Sequence, residues 1–208
     1  QRAGAAVAAL DIAIYLLDHA CSTATYAPLV ELIRGLMSGA DRALWQGARG
    51  DSGPRRTLTE KRALSEWIGA VHARSTDALA ALARARVNIP DLIRTAPDTS
   101  RAWPECWLPL VAALAQPCVN AHRPARQAAV AHLSRVVLSP EMLDPAPRPL
   151  APHLDAMFGN ILLPLLDTLL QPETARADAL LPNGAPGDEI PVTRTQVCLL
   201  LCRAWVQY

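Results

Sequence analysis

Aromatic residues are scarce in this chain. Its 208 residues include one Phe, three Tyr and five Trp, and Leu and Ala carry most of the apolar half of the composition. Sheets favour β-branched and aromatic side chains, so this scarcity argues against a large sheet and for helices packed on helices. Lysine is nearly absent, with Lys61 alone among the 20 basic residues. The rest are Arg, and with Ala and Pro also abundant this reads as the bias of a GC-rich genome. The competing reading is Arg selected for bidentate phosphate or carboxylate contacts. An excess of one charge sign is missing too. At a net charge of +1 there is no global electrostatic case for nucleic acid. Cysteine pairs of the C-x-x-C kind do not occur. Cys21, Cys106, Cys118, Cys198 and Cys202 are odd in number and lie mostly in apolar helical stretches. That suits free thiols packed as small hydrophobes in a reducing compartment.

Long apolar runs are also wanting. Ala3–Leu17 carries Asp11 and no basic segment precedes it, while the run from Phe158 to Leu170 is interrupted by Asn160, Pro164 and Asp167. Neither reads as a signal peptide or a membrane span. Both ends look like helix interiors, Gln1 leading straight into Ala3–Leu17 and Trp205-Val206-Gln207-Tyr208 stopping short, so a fragment of a longer polypeptide is expected. At this length a compact domain buries roughly 70% of its unfolded surface and needs neither disulfides nor metals to fold.

Catalytic patterns fail one by one. His19, His72, His122, His132 and His153 are scattered, and none neighbours a nucleophile motif. Gly47, Gly50 and Gly53 lack the preceding strand and the following Lys-Ser/Thr of a phosphate loop. Arg49-Gly50-Asp51 spells an adhesive tripeptide, but chance occurrence in a Gly/Arg-rich loop over 46–56 is the preferred reading. Cys198 with Cys202, and Cys118 with His122, are each four apart and could in principle meet around zinc. No tight knuckle spacing brackets them, and buried packing is preferred. No nucleophile, base and orienter can be assembled, so neither catalysis nor a cofactor is expected.

What is present is amphipathic helix. A first helix is expected over Ala5 to Ala20, striped by Val7, Leu10, Ile14 and Leu17, and a second opening at Pro28 with Leu29, Leu32, Ile33 and Leu36 on one face. Thr57-Leu58-Thr59-Glu60 fits a capping box. The long helix after it is striped by Leu64, Trp67, Ile68, Val71, Leu79 and Leu82, with a break or bend expected near Ser75-Thr76. Pro90 and Pro97 are expected to bracket a connector. Pro104 is expected to open a helix carrying Trp107, Leu110, Val111 and Leu114, and Pro124 one carrying Ala129, Val130, Leu133, Val136 and Val137. A turn-rich stretch from Pro140 to Pro152 follows, then a helix kinked or underwound near Pro164. An exposed loop from Pro172 to Pro191 is expected, then a last helix from Val192 or Thr193.

Two stretches repeat one arrangement. An apolar helix is followed by Asn120 and then Arg126; another is followed by Asp188 and then Arg194, each Arg lying six residues on. This is the pattern of HEAT-type repeats, in which a turn Asn or Asp pairs with an inter-repeat Arg, and it predicts an all-α HEAT/armadillo-like solenoid. Residues 1–100 read as divergent helices and 101–208 as two such repeats within one domain. The preferred role of Arg126 and Arg194, and of Arg123 beside them, is to hold these turns. The alternative is a phosphate or acidic-partner contact. Trp103 and Trp107 straddle Pro104, and anchoring of the repeat is preferred over a partner-binding aromatic pair.

The segment from Trp103 to Tyr208 also resembles a known family. The residues that carry the likeness are Trp103, Cys106, Trp107, Pro109 and Leu110; Arg123, Arg126, Ala129, Leu133, Arg135 and Leu138; Phe158, Ile161, Leu162, Pro164 and Leu165; and Thr193, Arg194, Leu200, Cys202, Val206, Gln207 and Tyr208. Their order and spacing resemble the helical region downstream of the catalytic domain in large guanine-nucleotide exchange factors for the small GTPase Arf, most of all the Golgi-type brefeldin A-resistance subfamily. Pro124 departs from the branched apolar residue usual before the marker Arg. The resemblance implies a non-catalytic regulatory scaffold acting in vesicle traffic, since the exchange domain and its glutamic-acid finger have no counterpart here. It implies as partners the other domains of the parent protein, small GTPases of the Arf or Rab type and Golgi membrane lipids, with a cytoplasmic location peripheral at Golgi membranes. A general helical-repeat adaptor unrelated to Arf is the rival reading.

Overall fold

The computed structural model describes residues 2–48, 57–120, 122–144, 146, 149–171 and 189–208. Among these every regular element is helical. The helices are α1 (Arg2–His19), α2 (Thr23–Ala48), α3 (Leu58–Ala85), α4 (Ile89–Thr95), α5 (Thr99–Ala115), α6 (Arg123–Val137), α7 (Ala151–Met157), α8 (Leu163–Leu170) and α9 (Glu189–Gln207). Short 3-10 turns at Gln116–Val119 and Pro140–Leu143 follow α5 and α6, and a π-turn at Phe158–Leu162 joins α7 to α8. Consecutive helices stack in pairs as a helical-repeat solenoid, with one buried apolar cluster running from Ala6 on α1 to Ala204 on α9.

Several starts are set by caps rather than by proline. The capping box before α3 is present: the Thr57 hydroxyl accepts from the Glu60 N–H, and the Glu60 carboxylate accepts from the Thr57 N–H. Asp98 caps α5 by accepting from the N–H groups of Ser100 and Arg101, so α5 begins at Thr99 and Pro104 lies inside it. Likewise α2 starts at Thr23, where Ser22 and Thr25 bond each other, and Pro28 lies inside the helix rather than opening it. The inward face of α2 is Tyr26, Val30, Ile33, Met37 and Ala40; of the expected stripe Ile33 is buried, Leu29 and Leu36 pack half-buried against the core, and Leu32 points outward at 45% exposure. On α1 the buried line is Ala6, Leu10, Ala13 and Leu17; small Ala lets α3 approach closely, and Val7 and Ile14 flank the line half-buried.

Three further expectations need correction. α3 runs unbroken through Ser75, whose hydroxyl donates back to the His72 carbonyl at 2.7 Å and so satisfies itself within the helix. The expected connector between Pro90 and Pro97 is helix α4, because Pro90 sits in its first turn, where no N–H is needed. α9 begins at Glu189 and takes in Pro191, upstream of the expected Val192. The underwinding expected near Pro164 is found one turn earlier, as the π-turn, while Pro164 occupies the first turn of α8. The Arg49-Gly50-Asp51 tripeptide and Asp188 lie outside the described residues.

Candidate functional site

Arg126 and Arg194 each donate to a carbonyl at the end of the preceding helix. Arg126, only 2% exposed, reaches back from the first turn of α6 and donates from Nη1 to the Asn120 carbonyl at 2.8 Å. That carbonyl lies just past the 3-10 turn that ends the α5 segment, where the last carbonyls lack helical partners. The Asn120 side chain meanwhile accepts the His122 N–H at 2.6 Å. The Asn–Arg link therefore runs through backbone, with the side-chain amide shaping the turn. Arg194 does the equivalent from α9: its Nε and Nη2 donate at 3.2 and 2.8 Å to the Leu169 carbonyl near the end of α8. In both cases a cation at the start of a second helix meets the negative end of the preceding one.

Trp103 and Arg126 present no surface to a partner. Trp103 is fully buried, donates from Nε1 to the Met142 carbonyl at 3.0 Å, and lies 6.5 Å from the Trp107 ring and 5.4 Å from the His153 ring. It fastens α5 to the Pro140–Leu143 turn. Arg194 is half-buried at its cap, and Arg123 alone of the candidates is exposed.

Arg123 stands at one end of a groove that the sequence did not reveal. This groove, about 510 Å³, lies between α6 and α9, the two second helices, which pack on one another. Its lining includes Val130 and Ala131 from α6 and Val192, Leu199 and Arg203 from α9. At the far end Tyr208 donates its hydroxyl to the Val137 carbonyl at 2.6 Å, fixing the end of α9 to the end of α6; burial pushes the phenol up to about 12.

A second unforeseen feature lies where α3 meets α6. The rings of His72 and His122 stack at 4.5 Å, 8° from parallel. His72 is 7% exposed and its Nε2 has no hydrogen-bond partner. Burial, and then the neighbouring His122, bring His72 down to about 4, and burial also lowers His122. The parallel ring planes send their lone pairs side by side, which does not suit a shared metal. Among the described residues no group of three or more His, Cys, Asp or Glu side chains could hold a metal ion. Cys118 is buried against the Leu114 carbonyl, whereas Cys202 is exposed on α9, so the two members of the zinc reading sit in different surroundings. No helix among the described residues is long and apolar enough to cross a membrane.

Among curated proteins and solved structures none matches the chain significantly. A family model does match, over residues 107–208, and it is described as the GBF1-like, tetratrico peptide repeat region. It begins at Trp107, four residues after the start of the resemblance noted above. Its description names tetratricopeptide rather than HEAT repeats; both are stacks of helix pairs that build an extended surface. Repeat regions of this kind are scaffolds and in general carry no catalysis, and the carboxy-terminal half of the chain, from α5 to α9, is similar to the helical scaffold of GBF1-like proteins.

Proposed function

We propose that the chain is a non-catalytic regulatory and scaffold segment of a Golgi Arf guanine-nucleotide exchange factor, acting in vesicle-mediated transport. The observation that carries this is the coincidence of the family match over 107–208 with the ordered residues from Trp103 to Tyr208. The buried Trp103, Trp107, Arg126 and Leu133 among them hold the repeat together, and Arg123 and Arg203 remain at its surface. In this reading the segment lies downstream of the exchange domain of its parent. It contacts other domains of that protein and small GTPases of the Arf or Rab type, and works in the cytoplasm, peripheral at Golgi membranes and in reach of their lipids.

The test is release of a fluorescent guanine nucleotide from Arf. The chain alone is expected to leave release at its intrinsic rate, and to change the rate when it is joined to its parent's exchange domain. Robust acceleration by the chain alone would overturn the proposal, as would an identical rate with and without it in the joined protein.

A further inference from the structure

Helix α9 keeps an apolar line open to solvent. Val192, Leu199 and Val206 follow at seven-residue intervals and are 53%, 53% and 86% exposed. Seven residues is close to two helical turns, so the three lie nearly in line along the axis, drifting about 20° at each step. Gln196 and Arg203 fall between them at alternating steps of four and three. The first two apolar residues also border the α6–α9 groove, whose lining includes the buried Val130 and Leu200. None of the twelve residues lining the groove is acidic, and two, Arg123 and Arg203, are basic. Six of the twelve lining residues are apolar and its charged residues are both basic, so the groove fits an apolar ridge flanked by carboxylates.

We propose that the α6–α9 groove docks an acidic amphipathic helix of a partner protein. Its apolar residues, seven apart, would lie along Val192, Leu199 and Val206, and its flanking Asp or Glu would meet Arg203. The inference deepens the scaffold reading and rests on it. Laying an apolar helical face into a groove removes both from water, and the guanidinium selects carboxylates at the rim through paired N–H donors. A second copy of α9 does not supply that chemistry. Between Val192 and Val206 it carries Arg194 and Arg203 and no carboxylate. The site is also concave, which favours a rod-like helix over the flat surface of a bilayer.

The probes are two labelled model helices of about 20 residues, long enough to span α9 at 1.5 Å per residue. Both carry Leu at seven-residue intervals; one is flanked by Glu and the other by Lys. Fluorescence anisotropy with the whole chain is expected to show saturable binding of the Glu helix and far weaker binding of the Lys helix. Arg203→Glu is expected to weaken the Glu helix by about tenfold and to strengthen the Lys helix, as charge reversal at an interface should. Val206→Asp is expected to abolish binding, while Ile12→Asp, at a 60% exposed site on α1, leaves it unchanged. All three positions are exposed, and circular dichroism checks that the fold is kept. Equal binding of the two helices, no saturable binding, or indifference to Arg203→Glu would each overturn the proposal. Binding of phosphatidylserine vesicles that depends on the same two residues would replace it with a membrane site. None of these readouts involves Arf, so their failure is distinct from failure of the exchange-factor reading.

Discussion

Replacing Arg126 by Met removes a guanidinium while keeping most of the side chain's apolar length. In the native chain that guanidinium donates to the Asn120 carbonyl at 2.8 Å, and both residues are nearly sealed from water, at 2% and 3% exposure. A hydrogen bond from a charged donor contributes roughly 1.5–3 kcal/mol, and an acceptor left buried without a partner costs about as much. Against this stands the desolvation of a buried charge, which its removal relieves. The carbonyl is a helix-end group with no helical partner, so the orphaning term should win, and a net loss of about 2 kcal/mol is expected for Arg126→Met. Arg126→Ala adds a cavity and should cost about 4 kcal/mol. Urea unfolding followed by circular dichroism measures this. With a slope of about 3 kcal/mol per molar, Arg126→Met should lower the midpoint by roughly 0.7 M. Hydrogen exchange should quicken first at the amides of the first turn of α6. A midpoint unchanged or raised in Arg126→Met would mean that the buried charge costs at least as much as its bond returns, contrary to this expectation.

Other positions give independent checks. His72 has a folded-state value of about 4, below its ordinary 6.5. The unfolded chain thus takes up this proton first as pH falls. Its contribution, on the order of 3 kcal/mol, is fully present above about pH 6.5 and lost progressively down to about pH 4. Urea midpoints measured across that window should fall with pH, and His72→Leu should flatten the fall; an equally steep profile in the variant would contradict the assignment. Trp103→Phe keeps one aromatic ring but gives up the bond to the Met142 carbonyl and leaves a small cavity, and should cost about 2–4 kcal/mol, read as a lowered Tm by calorimetry. Thr57→Ala removes half of the capping box of α3 and should cost about 1 kcal/mol, with faster exchange confined to the Leu58–Lys61 turn.

The helical class and the interior of the α5–α6 pair were legible in the sequence because the apolar period there is strict. Trp107, Leu110, Val111 and Leu114 on one helix and Ala129, Leu133, Val136 and Val137 on the next are all buried as expected. The capping box at Thr57 and Glu60 was legible for a related reason: both partners lie within one turn, so no tertiary information is needed. Helix starts were misread where proline was taken as the first residue. Pro28 and Pro104 each fall inside a helix whose start is fixed by polar residues upstream, Ser22 and Asp98. On α2 the sequence put Leu32 inward, whereas Tyr26, Val30 and Met37 complete the buried face around Ile33, with Leu29 and Leu36 at its edges. At Arg126 the six-residue spacing located the turn, but it pointed to the Asn120 side chain where the backbone carbonyl is the acceptor. The groove and the stacked histidines had no local signature. Arg123 and Arg203 are 80 residues apart in sequence, and His72 and His122 are 50 apart; only the packing of α6 against α9 and α3 brings them together.

The central claim, that this helical scaffold belongs to an Arf exchange factor, is tested most directly by the mass and peptide map of the native polypeptide that carries it. A polypeptide several times longer than this chain is expected, with peptides of an Arf-exchange domain mapping upstream of Trp103. A native polypeptide little longer than this chain, with no exchange-domain peptides, would contradict it and leave the general helical-repeat adaptor as the working account.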